Sequence, residues 1–374
     1  MIERGCSPAE IAAELKVKRE RILGFLERSG LDAVLISRHE NIAWVTAGIV
    51  DVRIGVIKET GAASLLLTKD GSAYYLTTNN EAPRLAEEEF AELDYEPLVK
   101  PWYANDVQAS IDSVVRGGKV GTDAPFGSLQ VVSLQTLRYE LTAGEVARYR
   151  RLGCEVAEVV TDVVLALRPG VSEKTMQAML GERLMERGIL PSVYLTAVDR
   201  RVRSFRHAVP RGGVLERFGM VNFCARGWGL SASMTRFVHF DPLPEELVEK
   251  FSVVAMVNAR LQAATREGIS ADALFEVARE AYASAGFAGQ ETMHHQGGAA
   301  GYLEREWVAR PGGTEIACAT QAFAWNPSLD GAKVEDTILL ADGAIELLTP
   351  TPGLPVVKTS LNGIDYHSAG VLVA

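Results

Sequence analysis

The sequence predicts an α+β protein of two domains: a smaller α/β domain over residues 1–138, then a larger domain over residues 139–374 with helices on one face of a curved antiparallel sheet. Two patterns and a length support this. Helical and strand periodicities alternate up to about Tyr139, whereas beyond Glu140 two pairs of amphipathic helices bracket strand-rich segments. A chain of 374 residues is also long enough to bury two ordinary cores.

In the first domain, Ile22, Phe25 and Leu26 recur at helical spacing between Val17 and Arg28, and Gly30 closes that helix. DAVLIS reads as a buried strand and leads into HENIAWVTAG. AASLLLT and SAYYLTT are strands around KDGS, whose Asp-Gly favours a hairpin. Helices are expected near 81–88 and 106–115, and a further one after VGTDAP, running to about Tyr139.

In the second domain, GEVARYRRLGCEVAEVVTDVVLALRPG is a long amphipathic helix stopped by Pro-Gly. VSEKTMQAMLGERLMERG is the next helix, with Ser172 as its N-cap and Gly188 beyond its end. An Arg-rich loop, VDRRVRSFRHAVPRGG, precedes a strand pair, VNFCARGWGLSASMTRFVHF, bent at Gly227 and Gly229. Two more helices follow, in LPEELVEKFSVVAMVNARLQAATREG and SADALFEVAREAYASAG, and the chain from Glu291 onward is strand- and loop-rich.

Composition narrows the function class. The net charge is −10, which argues against nucleic-acid and anionic-membrane partners, since both reward a basic face. No window approaches the roughly 18 uninterrupted apolar residues of a membrane helix. The N-terminal MIERGCSPAEIAAELKVKRER has acidic residues where a signal peptide would have an apolar core. Cys6, Cys154, Cys224 and Cys318 show no CxxC spacing, as expected of reduced thiols in a cytoplasmic protein.

Several phrases stand in order along the chain: HENIAWVTAG, ALRPGVSE, VNFCARGWGLSASMTRF, HHQGGAAGYLERE, WNP and KVEDTILLADGAIELLT. Together they resemble the pita-bread family, which includes Xaa-Pro aminopeptidases, prolidase, methionine aminopeptidase and creatinase. The likeness covers nearly the whole chain. It implies a creatinase-type N-terminal domain before a pita-bread domain. It also implies a homodimer in which the N-terminal domain of one subunit caps the other's site, with Arg53, His39 and Trp102 as candidates to reach across.

Metallopeptidases of that family hold two divalent ions with two Asp, one His and two Glu, because hard ligands must bridge the ions and activate a water. Met234-Thr235-Arg236 keeps the landmark that follows the second Asp, so Ser233 occupies that position and Asn222 the first. Gly298 falls at the histidine and Asn326, before Pro327, at one glutamate; only Glu335 survives. One carboxylate, two amides, a hydroxyl and a glycine are a poor cage for two divalent ions, so no metal and no other cofactor is expected.

The resemblance places His207 where the family has a substrate-facing histidine, and an imidazole both takes and gives a proton near neutrality. As a residue of an Arg-rich loop it also reads as a solvated side chain. His294 falls at a pocket-lining histidine, and strand alternation would turn His295 to the opposite face. The glycines 297–298 either open room for substrate or serve a tight turn. Arg305 and Arg206 are candidates to hold a substrate carboxylate, with pairing of Arg305 to Glu306 or Glu335 as its structural alternative. Arg236 is assigned to structure, and Arg226 and Trp228 lie at the hairpin bend. Ser233 lacks the elbow of a serine nucleophile, and Cys224 reads as a buried thiol.

The resemblance to creatinase, which works without metal, leads to the expected function. This is hydrolysis of a C–N bond in a small guanidino, amidino or amide carboxylate, with His207 as proton shuttle and Glu335 supporting it. Asn222, Asn326, Ser233, His294, Arg305 and Arg206 are expected to bind the substrate. Thr235 stands where creatinase has a second supporting carboxylate, which puts creatine itself in doubt. A divergent Xaa-Pro aminopeptidase or dipeptidase and a non-catalytic binding module for a small ligand or peptide are the alternatives.

Overall fold

The computed structural model describes residues 5–374; residues 1–4 of the N-terminal segment read above lie outside the described residues. The chain divides into two compact units, Met1–Arg138 with Thr142–Ala147, and Tyr139–Leu141 with Arg148–Ala374.

In the first unit, helix α1 (Pro8–Ser29) begins nine residues ahead of the expected Val17. A capping box explains the early start. The Glu10 N–H donates to Ser7 Oγ at 3.3 Å and the Ser7 N–H donates to Glu10 Oε2 at 2.8 Å. Strands β1 (Ala33–Arg38), β2 (Thr60–Thr68), β3 (Ala73–Thr78), β4 (Glu96–Lys100), β5 (Val120–Thr122) and β6 (Gln130–Val131) form one sheet in the order β4-β3-β2-β1-β5-β6. The expected hairpin joins β2 and β3, pairing Leu67 with Ala73. HENIAWVTAG supplies helix α2 (His39–Val45). Helix α3 (Ala82–Arg84) runs on into a π-helical turn, and Asp106 caps α4 (Val107–Val115). The helix expected to reach Tyr139 does not form. The chain there makes edge strand β6 and then a single 3₁₀ turn, Gln135–Arg138, whose buried Arg138 reaches in to Asn41 Oδ1. His39 is buried at the head of α2, which removes it from the residues able to reach a partner surface, and Arg53 pairs with Asp51 at 2.5 Å.

The unit also buries charge. Lys18 Nζ of α1 pairs with Glu14 and lies 2.8 Å from Glu145 Oε1, in the first turn of α5 (Ala143–Ala166), with all three side chains fully buried. The Trp44 ring lies 5.7 Å from the ammonium.

In the second unit, α6 (Glu173–Glu186) is capped by Ser172 as expected. Strands β7 (Leu190–Tyr194), β8 (Ala197–Val198), β9 (Phe218–Gly227) and β10 (Leu230–His239) follow, with the short helix α7 (Arg200–Ser204) inside the Arg-rich segment. After α8 (Glu245–Ala264) and α9 (Ala271–Ser284) come β11 (Gly297–Ala300), β12 (Trp307–Val308), β13 (Gln321–Trp325), β14 (Ser328–Leu329), β15 (Ala332–Lys333), β16 (Asp336–Ala341) and β17 (Ala344–Leu347). A hairpin of β18 (Val356–Leu361) and β19 (Ile364–Ala369) and the final β20 (Val371–Val373) complete the chain. One sheet runs β20-β10-β9-β7 and the other β12-β11-β13-β16-β17. Phe251, Val254, Val257 and Leu261 of α8 and Leu274 and Ala278 of α9 share one core with Phe218 and Phe237 of the first sheet and Phe323, Trp325 and Ile338 of the second. Burial of these apolar faces on both sheets holds the helices in place. Among the described residues, no helix is long and apolar enough to cross a membrane.

Removing the Lys18 ammonium would leave two buried carboxylates facing each other. Lys18→Ala is expected to cost roughly 3–5 kcal/mol, read as a lowered denaturant midpoint. A midpoint within experimental error of the parent protein would contradict that account.

Candidate functional site

Strand alternation sets Asn222 and Cys224 on one face of β9, and cross-strand pairing places Thr235 and Ser233 of β10 directly opposite them. Trp228 and Gly229, with φ of 50° and 79°, form the two-residue turn that fixes this register. Glu335 lies just ahead of β16, and the Thr235 N–H donates to its carbonyl at 3.1 Å, an isolated bridge between the two sheets. Three sequence-predicted site residues, Asn222, Ser233 and Glu335, are thereby brought to one point.

Glu335 is the hub. Its Oε2 accepts from Asn222 Nδ2 at 2.5 Å and Thr235 Oγ1 at 2.8 Å, and lies 2.8 Å from Lys333 Nζ. Its Oε1 accepts from Arg305 Nη2 at 3.0 Å. Arg305 Nη1 donates to Ser233 Oγ at 3.0 Å, and Ser233 Oγ lies 3.1 Å from Cys224 Sγ. Burial by itself would raise the Glu335 pKa, but the ammonium of Lys333 and the guanidinium of Arg305 outweigh it and hold the group at about 2. Cys224 is pushed the other way, up to about 12, chiefly by burial, and is not a thiolate at neutral pH.

The histidines form a second group. His207 Nε2 and His294 Nε2 are 2.9 Å apart, and their rings meet edge to face. Only one proton fits between the two nitrogens. Partial withdrawal from water and the Lys333 charge lower the His207 pKa. Burial, with His295 and Lys333 adding to it, takes His294 down to about 3. His295 does not turn away: its ring stacks on His294 with centroids 4.3 Å apart. Both residues precede β11, so strand alternation does not apply to them.

Other expected residues sit outside these contacts. Asn326 is buried, with its backbone N–H on the Gln296 carbonyl and no partner for Oδ1. Arg206 Nη2 is held by Gln290 Oε1 at 2.7 Å and Asp330 Oδ1 at 3.1 Å. Arg226 faces Glu304 at 3.5 Å, and Arg151 lies over the Trp228 ring. Arg236 pairs with Asp336 at 2.6 Å and donates to three backbone carbonyls. The two glycines do not open space. Gly297 has φ of 107°, and a Cβ at Gly298 would stand 2.0 Å from the Trp307 carbonyl oxygen, because β12 approaches too closely for any side chain.

Lys333 escaped the sequence reading. Its signal was there: it lies two residues before Glu335, in AKVED, the spacing that returns to the same face of an extended chain. With it in place, the donor set at the five metal-ligand positions does not fit two divalent ions. Both oxygens of the single carboxylate already face cationic nitrogens, and among the described residues no group of three or more His, Cys, Asp and Glu side chains is placed to hold an ion.

Because the folded pKa of Glu335, about 2, lies below its ordinary 4.5, its ionised form contributes stability in full above pH 4.5. That contribution is lost as the pH falls toward 2. Glu335→Gln is expected to cost roughly 3–5 kcal/mol at pH 7, with the gap to the parent protein closing in acid. Denaturant melts across that pH range check this, and a pH-independent gap would refute it.

Comparison with known proteins agrees with the fold. Residues 148–342 match metallopeptidase family M24, and residues 18–206 match the creatinase/prolidase N-terminal domain. The Xaa-Pro dipeptidase of Pyrococcus horikoshii is 21% identical over 360 residues, covering 89% of this chain and 97% of its own. That of Pyrococcus furiosus is 22% identical over 352 residues, covering 90% and 99%. The crystal structure of the prolidase from Pyrococcus horikoshii OT3 superposes with a TM-score of 0.74 at 19% identity, covering 89% of this chain and 98% of that one. The chain therefore belongs to metallopeptidase family M24, a pita-bread fold that carries a creatinase/prolidase-type N-terminal domain.

Proposed function

We propose that this chain is a divergent hydrolase of its family that breaks a C–N bond in a dipeptide-sized, carboxylate-bearing substrate without divalent metal. The observation that carries this reading is the occupation of Glu335 by Lys333 and Arg305, with the His207–His294 pair near enough to feel the charges of Lys333 and Glu335. Glu335, held ionised at about 2, is too weak a base to activate water. His207 is the better base, since its lowered pKa keeps it neutral at pH 7. It takes a proton from water as the oxygen attacks the substrate carbon. The same proton then goes to the nitrogen as the C–N bond breaks. His294 orients the ring.

The names of the relatives make Xaa-Pro dipeptides the first substrates to test. Asn222 and His207, which match creatinase in the resemblance, make small guanidino and amidino carboxylates the second. Assays run in EDTA should show release of free amino acid, amine or urea, and His207→Ala should lower kcat by about 10²-fold or more. Activity should fall in acid with a midpoint below His207's ordinary value of 6.5, because protonation removes the base. Stoichiometric bound metal with metal-dependent turnover would sink the metal-free reading. Saturable binding without turnover would assign the chain to the binding-module alternative.

A homodimer with the N-terminal unit capping the partner's site belongs to the same proposal. Exposed Ile54, Val56 and Ile57 lead into β2, and exposed Trp102 and Tyr103 follow β4, both at one end of the sheet. Light scattering should give a dimer that Ile57→Glu with Trp102→Ala converts to monomer; a parent monomer would remove this part of the reading.

A further inference from the structure

The cations around Glu335 outnumber the carboxylate they hold. Lys333 and Arg305 carry two positive charges against one negative, while the neighbouring acids are paired elsewhere, Glu304 with Arg226 and Asp330 with Arg206. Both cationic side chains are largely buried, Lys333 at 8% exposure and Arg305 at 11%. Their hydrogen-bonding capacity is also unspent. The Lys333 ammonium has three N–H groups and meets Glu335 alone, and the buried Arg305 Nε has no partner. A buried cationic donor without an acceptor is costly, so a site built this way is completed by an anion.

We infer that Lys333 and Arg305 form a fixed cationic centre that binds a carboxylate or oxyanion of a small ligand. The ligand's oxygens accept from the spare Lys333 N–H groups and Arg305 Nε, while Glu335, itself fixed by Asn222 and Thr235, holds the two cations in position. Arg305 is further tied to Ser233, so its guanidinium plane cannot swing away without breaking that bond. The centre's role as the substrate's carboxylate subsite rests on the hydrolase reading; its existence as an anion site does not.

Acetate is the simplest probe. Titrated into the full chain in EDTA and followed by calorimetry, it should bind saturably. Lys333→Met should weaken that binding by about tenfold or more, and Lys333→Arg should restore most of it. If Lys333→Met fails to fold by circular dichroism, Arg305→Lys replaces it, with the same weakening expected from loss of the Nε donor. Absence of saturable binding in the parent protein, or equal affinity in the folded variants, overturns the inference. Acetate binding that depends on Lys333 in a protein that turns over no substrate upholds this centre and refutes the hydrolase reading. Turnover whose KM and kcat are untouched by Lys333→Met upholds the hydrolase reading and overturns the centre's role as its carboxylate subsite.

Discussion

The second unit depends on one weld, the approach of β10 to the start of β16. Thr235 and Glu335 bridge through the backbone and bond again through their side chains. One residue along each strand, Arg236 and Asp336 pair; on the other side, the Ser233 N–H donates to Thr337 Oγ1 at 2.8 Å and that hydroxyl donates back to the Ser233 carbonyl. Alternation sends Thr235 and Glu335 to one face and Arg236 and Asp336 to the other. The same rung therefore supplies a scaffold ion pair on one side and the hub of the candidate site on the other. Polar groups this deep must be matched one for one, since an unpaired charge costs more than a pair returns.

That weld separates what the sequence made legible from what it did not. Helix pairs, the β9–β10 hairpin and the β2–β3 hairpin were readable because periodicity, Asp-Gly and Gly-rich turns are local signals. Met234-Thr235-Arg236 lies on β10 and Val334-Glu335-Asp336 at the start of β16, and the two phrases meet at Thr235 and Glu335. Long-range partners were not. Nothing near Arg305 shows whether it meets Glu306 or Glu335; the fold brings it to Glu335. Lys333 lies outside the ligand positions, where a lysine has no place, so the family pattern does not mark it. Strand alternation does not reach His294 and His295, just outside the strand, and the stretch up to Tyr139 forms an edge strand and a 3₁₀ turn whose Arg138 bonds to Asn41.

Gly298 shows the difference between a missing group and a closed position. Read from sequence, a glycine in place of a metal-binding imidazole suggests a vacancy. In the fold, β12 fills that space, with the Trp307 carbonyl oxygen 2.0 Å from where a Cβ would stand. The backbone itself closes this position, and any side chain placed there would have to push the strand aside.

In the proposed reading, ammonium and guanidinium groups take the place of metal ions, and that changes what a site can do. A divalent ion both neutralises negative charge and lowers the pKa of a bound water to near 7, so one centre supplies electrostatics and nucleophile together. N–H donors supply the first and not the second. They stabilise a carboxylate or developing oxyanion through fixed, charge-assisted hydrogen bonds, but leave water as weak a nucleophile as in bulk. A metal-free reaction on this scaffold thus needs a separate base that is neutral at working pH and unattached to the cations. Among the groups gathered here, Glu335 is excluded because Lys333 and Arg305 hold it ionised and saturated, and Cys224 because burial holds it protonated. His207 meets both conditions, at the edge of the cluster and with its pKa lowered. The division of labour in the proposed mechanism, cations for charge and imidazole for the proton, follows from the exchange itself.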